Sequence, residues 1–344
     1  RLSNERDFND LAGGARAGIL ASVAEAPSDV TSIKAILALV KTQVLSRIKG
    51  PLVGKLVDTL GNVAPEARVR IAHLAARQLR GQSALEDYDL RNTSIIDHVD
   101  ALCTQTKTTE RLQQHGYDAA RVAGVALGTL ASPERLSFEE GTPGVLGMFE
   151  FALADSAPAE FARLWTSLST SDDVELASGA TLTMQDELQS EIAQTPLRRT
   201  LVELAALARP AGRSRRPTFI MPGGHGVDAD VIAKSLSHLF GASYSVFAGA
   251  AAALRALKRA APDARRMPPV FVSVLYRRGE RLFVFDRIDD KYVYLRAPHG
   301  KSSKTRGKIR PDPEREVWDP DGALDRMRRD DFEENVGIVL LPRG

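Results

Sequence analysis

Hydrophobic positions in the first part of the chain recur at spacings of three and four residues, which is the pattern of amphipathic helices. The first such run extends from Val30 to Ile48 and is followed by Gly50 and Pro51, which end a helix. Further helices are predicted over residues 65–80, 94–105 and 117–130. Because no alternating pattern intervenes, the sequence predicts an all-helical N-terminal domain over residues 1–135.

The composition changes between residues 132 and 147, where turn-forming residues gather around Gly141-Thr142-Pro143. A domain boundary is predicted here, with the second domain over residues 150–344. Helices are predicted in it over residues 158–168, 195–209, 228–241 and 251–261. Strands are predicted as a hairpin around residues 178–179 and over residues 244–247, 270–276, 281–287, 291–296 and 332–342. Helices followed by antiparallel strands give an α+β fold class.

Composition adds several exclusions. The 344 residues are 43% hydrophobic, enough for a sizeable core, and the single cysteine, Cys103, rules out an intrachain disulfide and a cysteine-based zinc cluster. No apolar run is long enough to span a membrane, and no secretory signal opens the chain. The first residue is Arg1 rather than Met, so the question of whether a leading segment was removed stays open. The choice between a cytoplasmic location and secretion as an effector stays open as well.

Charge is distributed unevenly although the net charge is only +2. Residues 139–191 contain eleven acidic residues and one basic residue, whereas residues 251–310 contain sixteen basic and five acidic residues. The two segments either face each other or solvent within one fold, or the basic segment forms a surface for an acidic partner. Nucleic-acid binding is the weaker expectation, because no nucleic-acid fold signature is present and aromatic residues are only 6% of the chain.

The stretch from Arg281 to Gly300 consists of two strands, an acidic turn and a Pro-x-Gly exit: RLFVFDRIDDKYVYLRAPHG. It is preceded by the apolar helix LRRTLVELAALA, the helix DADVIAKSLSHLFG and the strand YSVF, and it is followed by the segment FEENVGIVLLP. In this order the elements of residues 150–344 resemble the papain-like cysteine peptidase superfamily, in particular its bacterial and calpain-like domains. The resemblance implies a papain-like α+β domain with an antiparallel sheet.

That family needs a thiolate at a helix start, an imidazole that moves the proton, and a third side chain that orients the imidazole. The resemblance assigns these places to Thr195, Arg281 and Ala297. Thr195 has a hydroxyl but is an ordinary helix cap, Arg281 does not lose its proton, and Ala297 has no hydrogen-bonding side chain. The catalytic positions are therefore degenerate, and the reaction of the family is not expected.

The six histidines are the other candidates for chemistry. His225 lies in the glycine-rich run PGGHG, His299 follows the last strand of the resembling stretch, and His238 is thirteen residues from His225. That spacing matches no known metal motif, and the glycines lack the pattern of a phosphate loop. No metal and no cofactor are predicted.

The sequence thus predicts a non-catalytic pseudo-peptidase that binds a protein or peptide partner and carries a helical interaction domain. The expected contact residues are Arg281, His299, His225, Tyr292 and Tyr294. Two alternatives stay open: a hydrolase or acyltransferase with relocated catalytic residues, and a helical effector or assembly protein whose second half supports the first. The oligomeric state stays open as well.

Overall fold

The protein is described by a computed structural model. The described residues are 55–56, 58–60, 62–79, 82–136, 144–184, 195–201, 204, 218–220, 226–260, 268–276, 279–298, 310–311 and 324–343. The predicted helix from Val30 to Ile48 and the histidines His225 and His299 lie outside them.

Helices and strands are numbered in chain order. The helices are α1 (Pro65–Ala76), α2 (Ile95–Thr104), α3 (Glu110–Gln114), α4 (Ala119–Ala131), α5 (Gly144–Ser156), α6 (Pro158–Thr170), α7 (Pro196–Leu201), α8 (Ala229–Phe240), α9 (Ala250–Ala260) and α10 (Arg329–Asn335). The strands are β1 (Gln78–Leu79), β2 (Gln82–Ser83), β3 (Asp173–Glu175), β4 (Thr181–Thr183), β5 (Thr218–Ile220), β6 (Gly226–Asp228), β7 (Tyr244–Ala248), β8 (Phe271–Tyr276), β9 (Gly279–Ile288), β10 (Tyr292–Arg296), β11 (Arg310–Pro311), β12 (Leu324–Arg328) and β13 (Val336–Pro342).

The described residues form two compact units. The first unit takes those up to Pro133 together with the segment Ala157–Thr170, and the second takes those of 134–156 and those after Thr170. The chain therefore leaves the first unit, returns to it for α6 and leaves it again. The predicted domain limits at residues 135 and 150 stay predictions.

The first unit is built on α1, α2, α4 and α6, which pack against one another. Side-chain caps begin two of these helices: the Ser94 side chain accepts the Asp97 amide at the start of α2, and Asp118 accepts the Arg121 amide at the start of α4. The prediction of an all-helical domain is wrong in one detail. The strands β1 and β2 form a short antiparallel hairpin after α1, so the described part of this unit is mainly helical.

The second unit contains a seven-stranded sheet in the order β11-β12-β10-β9-β8-β13-β7, with every neighbouring pair antiparallel. Mixed helices and antiparallel strands confirm the α+β class. The strands predicted for β7, β8, β9 and β10 are observed. The predicted final strand is wrong at its start, because Phe332 lies in the short helix α10 and β13 begins only at Val336. The sequence pattern also missed β12, which separates β10 from β11.

Helix α5 belongs to the second unit, where it contacts β9 and α7. All residues from Val145 to Ala154 are buried, including Glu150, which is 0% exposed. A helix that is apolar all round has no amphipathic stripe, so the pattern gave no sign of it. The apolar helix on which the resemblance relies is described over α7, and it contacts α5 and β4.

Candidate functional site

Thr195 stands at the start of α7, where the resemblance places the nucleophile. Its Oγ1 donates a hydrogen bond to Glu150 Oε1 at 3.0 Å and accepts one from the backbone N–H of Arg198 at 3.2 Å. The hydroxyl therefore caps the helix and joins α7 to α5. Both of its hydrogen-bonding roles are used for structure, as expected for an ordinary N-cap.

The partner of Thr195 belongs to a buried ion pair. Arg198 Nε donates to Glu150 Oε2 at 2.8 Å, and Arg198 Nη2 lies 2.7 Å from the same oxygen. The side chains are 1% and 0% exposed. The two contacts with Arg198 fix the position of the Glu150 carboxylate, which accepts the hydrogen bond of the Thr195 hydroxyl.

Arg281 lies near the start of β9 and is half-buried. Its backbone is opposite Val274 of β8, and its guanidinium carbon is 5.9 Å from the centre of the Phe283 ring. A guanidinium above an aromatic ring is a favourable cation–π arrangement. It provides positive charge and hydrogen-bond donors but no base.

Ala297 follows the last residue of β10 and is 2% exposed. The residue before it, Arg296, is opposite Val284 of β9, and it forms two hydrogen bonds to the carboxylate of Asp155 at 2.9 Å and 2.6 Å. This end of β10 is therefore tied to the C-terminal end of α5. The methyl group of Ala297 orients no neighbouring side chain.

The two aromatic residues of the predicted contact set lie elsewhere. Arg281 is three residues from Val284 on β9, whereas Tyr294 is opposite Arg287, six residues from Arg281 and roughly 20 Å along the strand. Tyr292 lies farther still along β10. The structure thus separates Arg281 from Tyr292 and Tyr294.

Tyr292 and Tyr294 belong to a set of side chains on one face of the sheet. Their rings are 6.3 Å apart at an angle of 64°. Arg287 lies over the Tyr294 ring at 3.8 Å, and Arg326 lies over the Tyr292 ring at 4.4 Å. We call the five residues Arg287, Tyr292, Tyr294, Arg326 and Arg328 the tyrosine–arginine face.

The turn between β9 and β10 holds this face in place through Asp289. Its Oδ1 accepts the backbone N–H groups of Lys291 and Tyr292, both at 2.7 Å, and its Oδ2 accepts the Tyr294 hydroxyl at 2.9 Å. Burial alone would raise the pKa of Asp289, but the hydrogen bonds from Tyr292, Lys291 and Tyr294 lower it. Burial and the bond to Asp289 raise the pKa of Tyr294, which stays a neutral hydrogen-bond donor.

The sequence analysis missed a serine–histidine contact. Ser178, in the turn between β3 and β4, has its Oγ 2.7 Å from His238 Nδ1 at the end of α8. The Ser178 amide also donates to the His238 carbonyl at 3.2 Å, so the turn caps the C-terminal end of the helix. Sixty residues separate the two, and no sequence signal joins them.

The pair does not have the surroundings of a catalytic dyad. The amide of Gly179 donates to Leu176 O at 2.9 Å and that of Ala180 lies 3.3 Å from Ser178 Oγ, so neither is free to bind an oxyanion. Within the described part of the chain, His238 Nε2 is buried without a hydrogen-bond partner, so no carboxylate orients the ring. Burial and, next, Lys234 lower the pKa of His238.

Cys103 lies in α2 of the first unit and is a free thiol. Burial and the nearby Asp100 carboxylate raise its pKa to about 11. A thiol with a raised pKa is a poor nucleophile, because the thiolate is the reactive form. The sole cysteine of the chain is therefore neither in the second unit nor activated.

Two further features concern the described residues only. They contain no group of three or more histidine, cysteine, aspartate or glutamate side chains arranged to hold a metal ion. None of their helices is both long and apolar enough to cross a membrane.

Comparison with known proteins identified no relative of this chain. No protein-family model matches the chain, and no curated protein and no solved structure is significantly similar to it.

Proposed function

We propose that the protein is a non-catalytic binding protein, in which a papain-like second unit has kept its frame and lost its reaction. The observation that carries the proposal is the state of Thr195. The only hydroxyl or thiol at the three assigned positions is engaged on both sides, by Glu150 and by the Arg198 amide. This hydroxyl caps the helix, and the carboxylate to which it donates is ion-paired with Arg198, while neither Arg281 nor Ala297 supplies a base or an orienting group.

The order of elements supports the papain-like interpretation. A buried helix against an antiparallel sheet, with the strands β8, β9 and β10 consecutive in that sheet, is the arrangement that the resemblance implies. If α5 rather than α7 takes the place of the nucleophile helix, the conclusion is unchanged, because Cys103 is the sole cysteine of the chain. The proposal therefore does not depend on which helix is chosen.

The expected ligand is a protein or peptide segment that contacts the start of β9. Arg281 is half-buried there and presents donors that suit a carboxylate or a backbone carbonyl. A surface that binds an extended peptide segment needs hydrogen-bond donors in fixed positions more than it needs reactive groups.

The first test is partner capture by the full chain from lysate of the source cells, with Arg281→Glu and the matched control Arg259→Glu in parallel. Arg259 is exposed on α9, so both variants carry the same change in charge. We expect the control to retain the partner and Arg281→Glu to lose it. Circular dichroism shows whether each variant is folded, and Arg281→Gln repeats the test with a smaller change.

The second test concerns catalysis. The full chain is incubated with peptide amides, activated esters and hydroxyl-directed fluorophosphonate probes, followed by intact-mass measurement. We expect no turnover and no adduct. An adduct on Thr195, or turnover abolished by Thr195→Val, would contradict the proposal and favour the relocated-enzyme alternative.

A further inference from the structure

We propose that the edge strand β7 pairs with β7 of a second copy of this chain, so that the sheets of two molecules join into one. The inference goes beyond the proposed function and does not depend on the papain-like interpretation, because it uses only the observed sheet. The occupant follows from the backbone hydrogen-bonding groups that this strand leaves unused.

Strand β7 lies at one edge of the seven-stranded sheet, and among the described strands it pairs only with β13. Two amide bonds fix the phase of this pairing: Gly249 donates to Gly337 O at 3.2 Å just after β7, and Arg343 donates to Ser243 O at 2.7 Å just before it. The ladder bonds of antiparallel strands alternate. The odd-numbered residues of β7 therefore bond to β13, and the even-numbered residues direct their N–H and C=O groups away from the sheet.

Three residues of β7 thus direct backbone groups outward, namely Tyr244, Val246 and Ala248. The Tyr244 amide is occupied, because it donates to Ser237 Oγ of α8 at 3.2 Å. Within the part of the chain that the structure describes, the Tyr244 carbonyl, both groups of Val246 and the Ala248 amide have no hydrogen-bond partner. A row of unpaired backbone groups at a sheet edge is a template for another strand.

The two edges of the sheet differ in how they are protected against such pairing. At the far edge, β11 is only two residues long and includes Pro311, which has no amide N–H. Strand β7 has the sequence YSVFA, without a charged residue or a proline, and its register with β13 is continuous, without a bulge. Because β7 lacks these protecting features, we expect another strand to cover it in solution.

A second copy of β7 satisfies the unused groups when the two strands run antiparallel around a two-fold axis at Val246. The Val246 amide of each copy then donates to the Val246 carbonyl of the other, and each Ala248 amide donates to the Tyr244 carbonyl of the other copy. The Tyr244 amide keeps its bond to Ser237, so no outward donor is left over. Two-fold contacts of this self-complementary kind are the commonest in homo-oligomers.

The side chains are compatible with this register. It places Val246 opposite itself and Ser245 opposite Phe247 of the other copy, so no charged residues meet. Val246 and Phe247 are half-buried in one copy, and pairing removes more of their apolar surface from water. Strand β7 has five residues and is about 17 Å long, which is short for a dimer contact. We therefore expect a weak dimer that forms as the concentration rises.

The first test measures the mass of the purified full chain by analytical ultracentrifugation between about 1 and about 300 µM. We expect a monomer at the low end and a dimer at the high end. Val246→Pro removes the amide at the two-fold axis and costs no ladder bond to β13, because this amide points outward. Two hydrogen bonds are lost in each dimer, so its affinity should fall by about tenfold or more. The control Val246→Thr keeps the amide and the β-branched shape and should dimerise within a factor of about two of the wild type.

A charge exchange at the same position tests the occupant and the register together. Val246→Lys and Val246→Glu each place like charges opposite one another at the two-fold axis, so each variant alone should stay monomeric. A mixture of the two should form a mixed dimer, because lysine then faces glutamate. Circular dichroism shows whether each variant is folded, and the charge exchange decides the matter if the proline variant does not fold.

Three results would overturn the inference. The first is a wild-type chain that stays monomeric over the whole range, and the second is a dimer that neither Val246→Pro nor the charged variants weaken. The third is a mixture of the two folded charged variants that stays monomeric. Amide hydrogen exchange gives a direct readout: exchange at Val246 and Ala248 should slow as the concentration rises, whereas exchange at Phe247, which bonds to β13, should not change. Equal slowing at all three amides, or no slowing at any, would also contradict the pairing.

Discussion

Glu150 of α5 and Arg198 of α7 form an ion pair that is closed to water, with Arg198 Nε 2.8 Å from Glu150 Oε2 and both side chains at most 1% exposed. The other oxygen of Glu150 accepts the hydroxyl of Thr195. The position that the resemblance assigns to a nucleophile is thus part of the packing between two helices, and the predictions that follow use this connection.

Removing one charge of the pair should destabilise the protein strongly. Glu150→Gln removes the carboxylate charge that lies 2.8 Å from the buried guanidinium of Arg198, so we expect a loss of about 3–5 kcal/mol in the free energy of unfolding. Urea unfolding followed by circular dichroism measures it. The control is Glu333→Gln, which breaks the more exposed pair with Arg329 and should cost about 0.3–0.5 kcal/mol.

The double variant Glu150→Leu/Arg198→Met removes both charges together. We expect it to be more stable than Glu150→Gln, because no buried charge is left unpaired. The single variants Glu150→Leu and Arg198→Met complete the comparison, and a double variant that loses as much stability as these two added together would show that the side chains do not act as a pair.

Thr195 should behave as a helix cap. Thr195→Val removes the acceptor for the Arg198 amide and should cost about 1 kcal/mol, whereas Thr195→Ser keeps the hydroxyl and should cost much less. The comparison of the two unfolding free energies is the measurement. Equal losses would mean that the methyl group, and not the hydroxyl, stabilises this helix start.

The burial of His238, together with the nearby Lys234, should make stability depend on pH. The pKa of His238 is lowered in the folded state, so the unfolded state binds the proton more readily. Stability should therefore be fully present above the ordinary histidine pKa of about 6.5 and decline as the pH falls from there through the folded-state pKa.

Unfolding midpoints between pH 8 and pH 5 measure this dependence for the wild-type chain and for His238→Gln. The variant should show a flatter profile over that interval. An unchanged slope in His238→Gln would exclude His238 as the source.

Cys103 should be unreactive in the folded protein. With a pKa of about 11, only about 0.1% of the thiol is ionised at pH 8, against roughly a quarter of a free cysteine. We expect slow labelling by iodoacetamide without denaturant and fast labelling in urea. Rapid labelling of the native chain, located by mass spectrometry, would contradict the assigned burial of this side chain.

The local residue pattern was sufficient to predict a helix or strand wherever that element contains its own sequence signal. Strands β8, β9 and β10 carry β-branched and aromatic runs bounded by turn residues, and each is found where the pattern predicted it. Helix α8 has an Asp228 cap and ends at Gly241, whose φ of +68° is the left-handed conformation that glycine adopts at little cost. Such signals lie within a few residues of the element that they define.

Part of the candidate site could also be predicted from the local sequence. The sequence identified Thr195 as a normal helix cap, and its hydrogen bond to the Arg198 amide agrees with this. The sequence did not reveal that Thr195 also meets Glu150, since the helix that contains Glu150 was not predicted. It placed Arg281 in one contact set with Tyr292 and Tyr294, although the strand register separates them.

The sequence by itself determined the α+β class, most strands of the sheet and the absence of a usable cysteine, because these follow from residue type and short-range periodicity. The tertiary structure decided the rest. Helix α5 is apolar on all sides and shows no period, and β12 is a strand because β10 and β11 pair with it. The contacts Glu150 with Arg198 and Ser178 with His238 join residues 48 and 60 positions apart. Their energy comes from burial and from the approach of distant segments, which no short window of sequence contains.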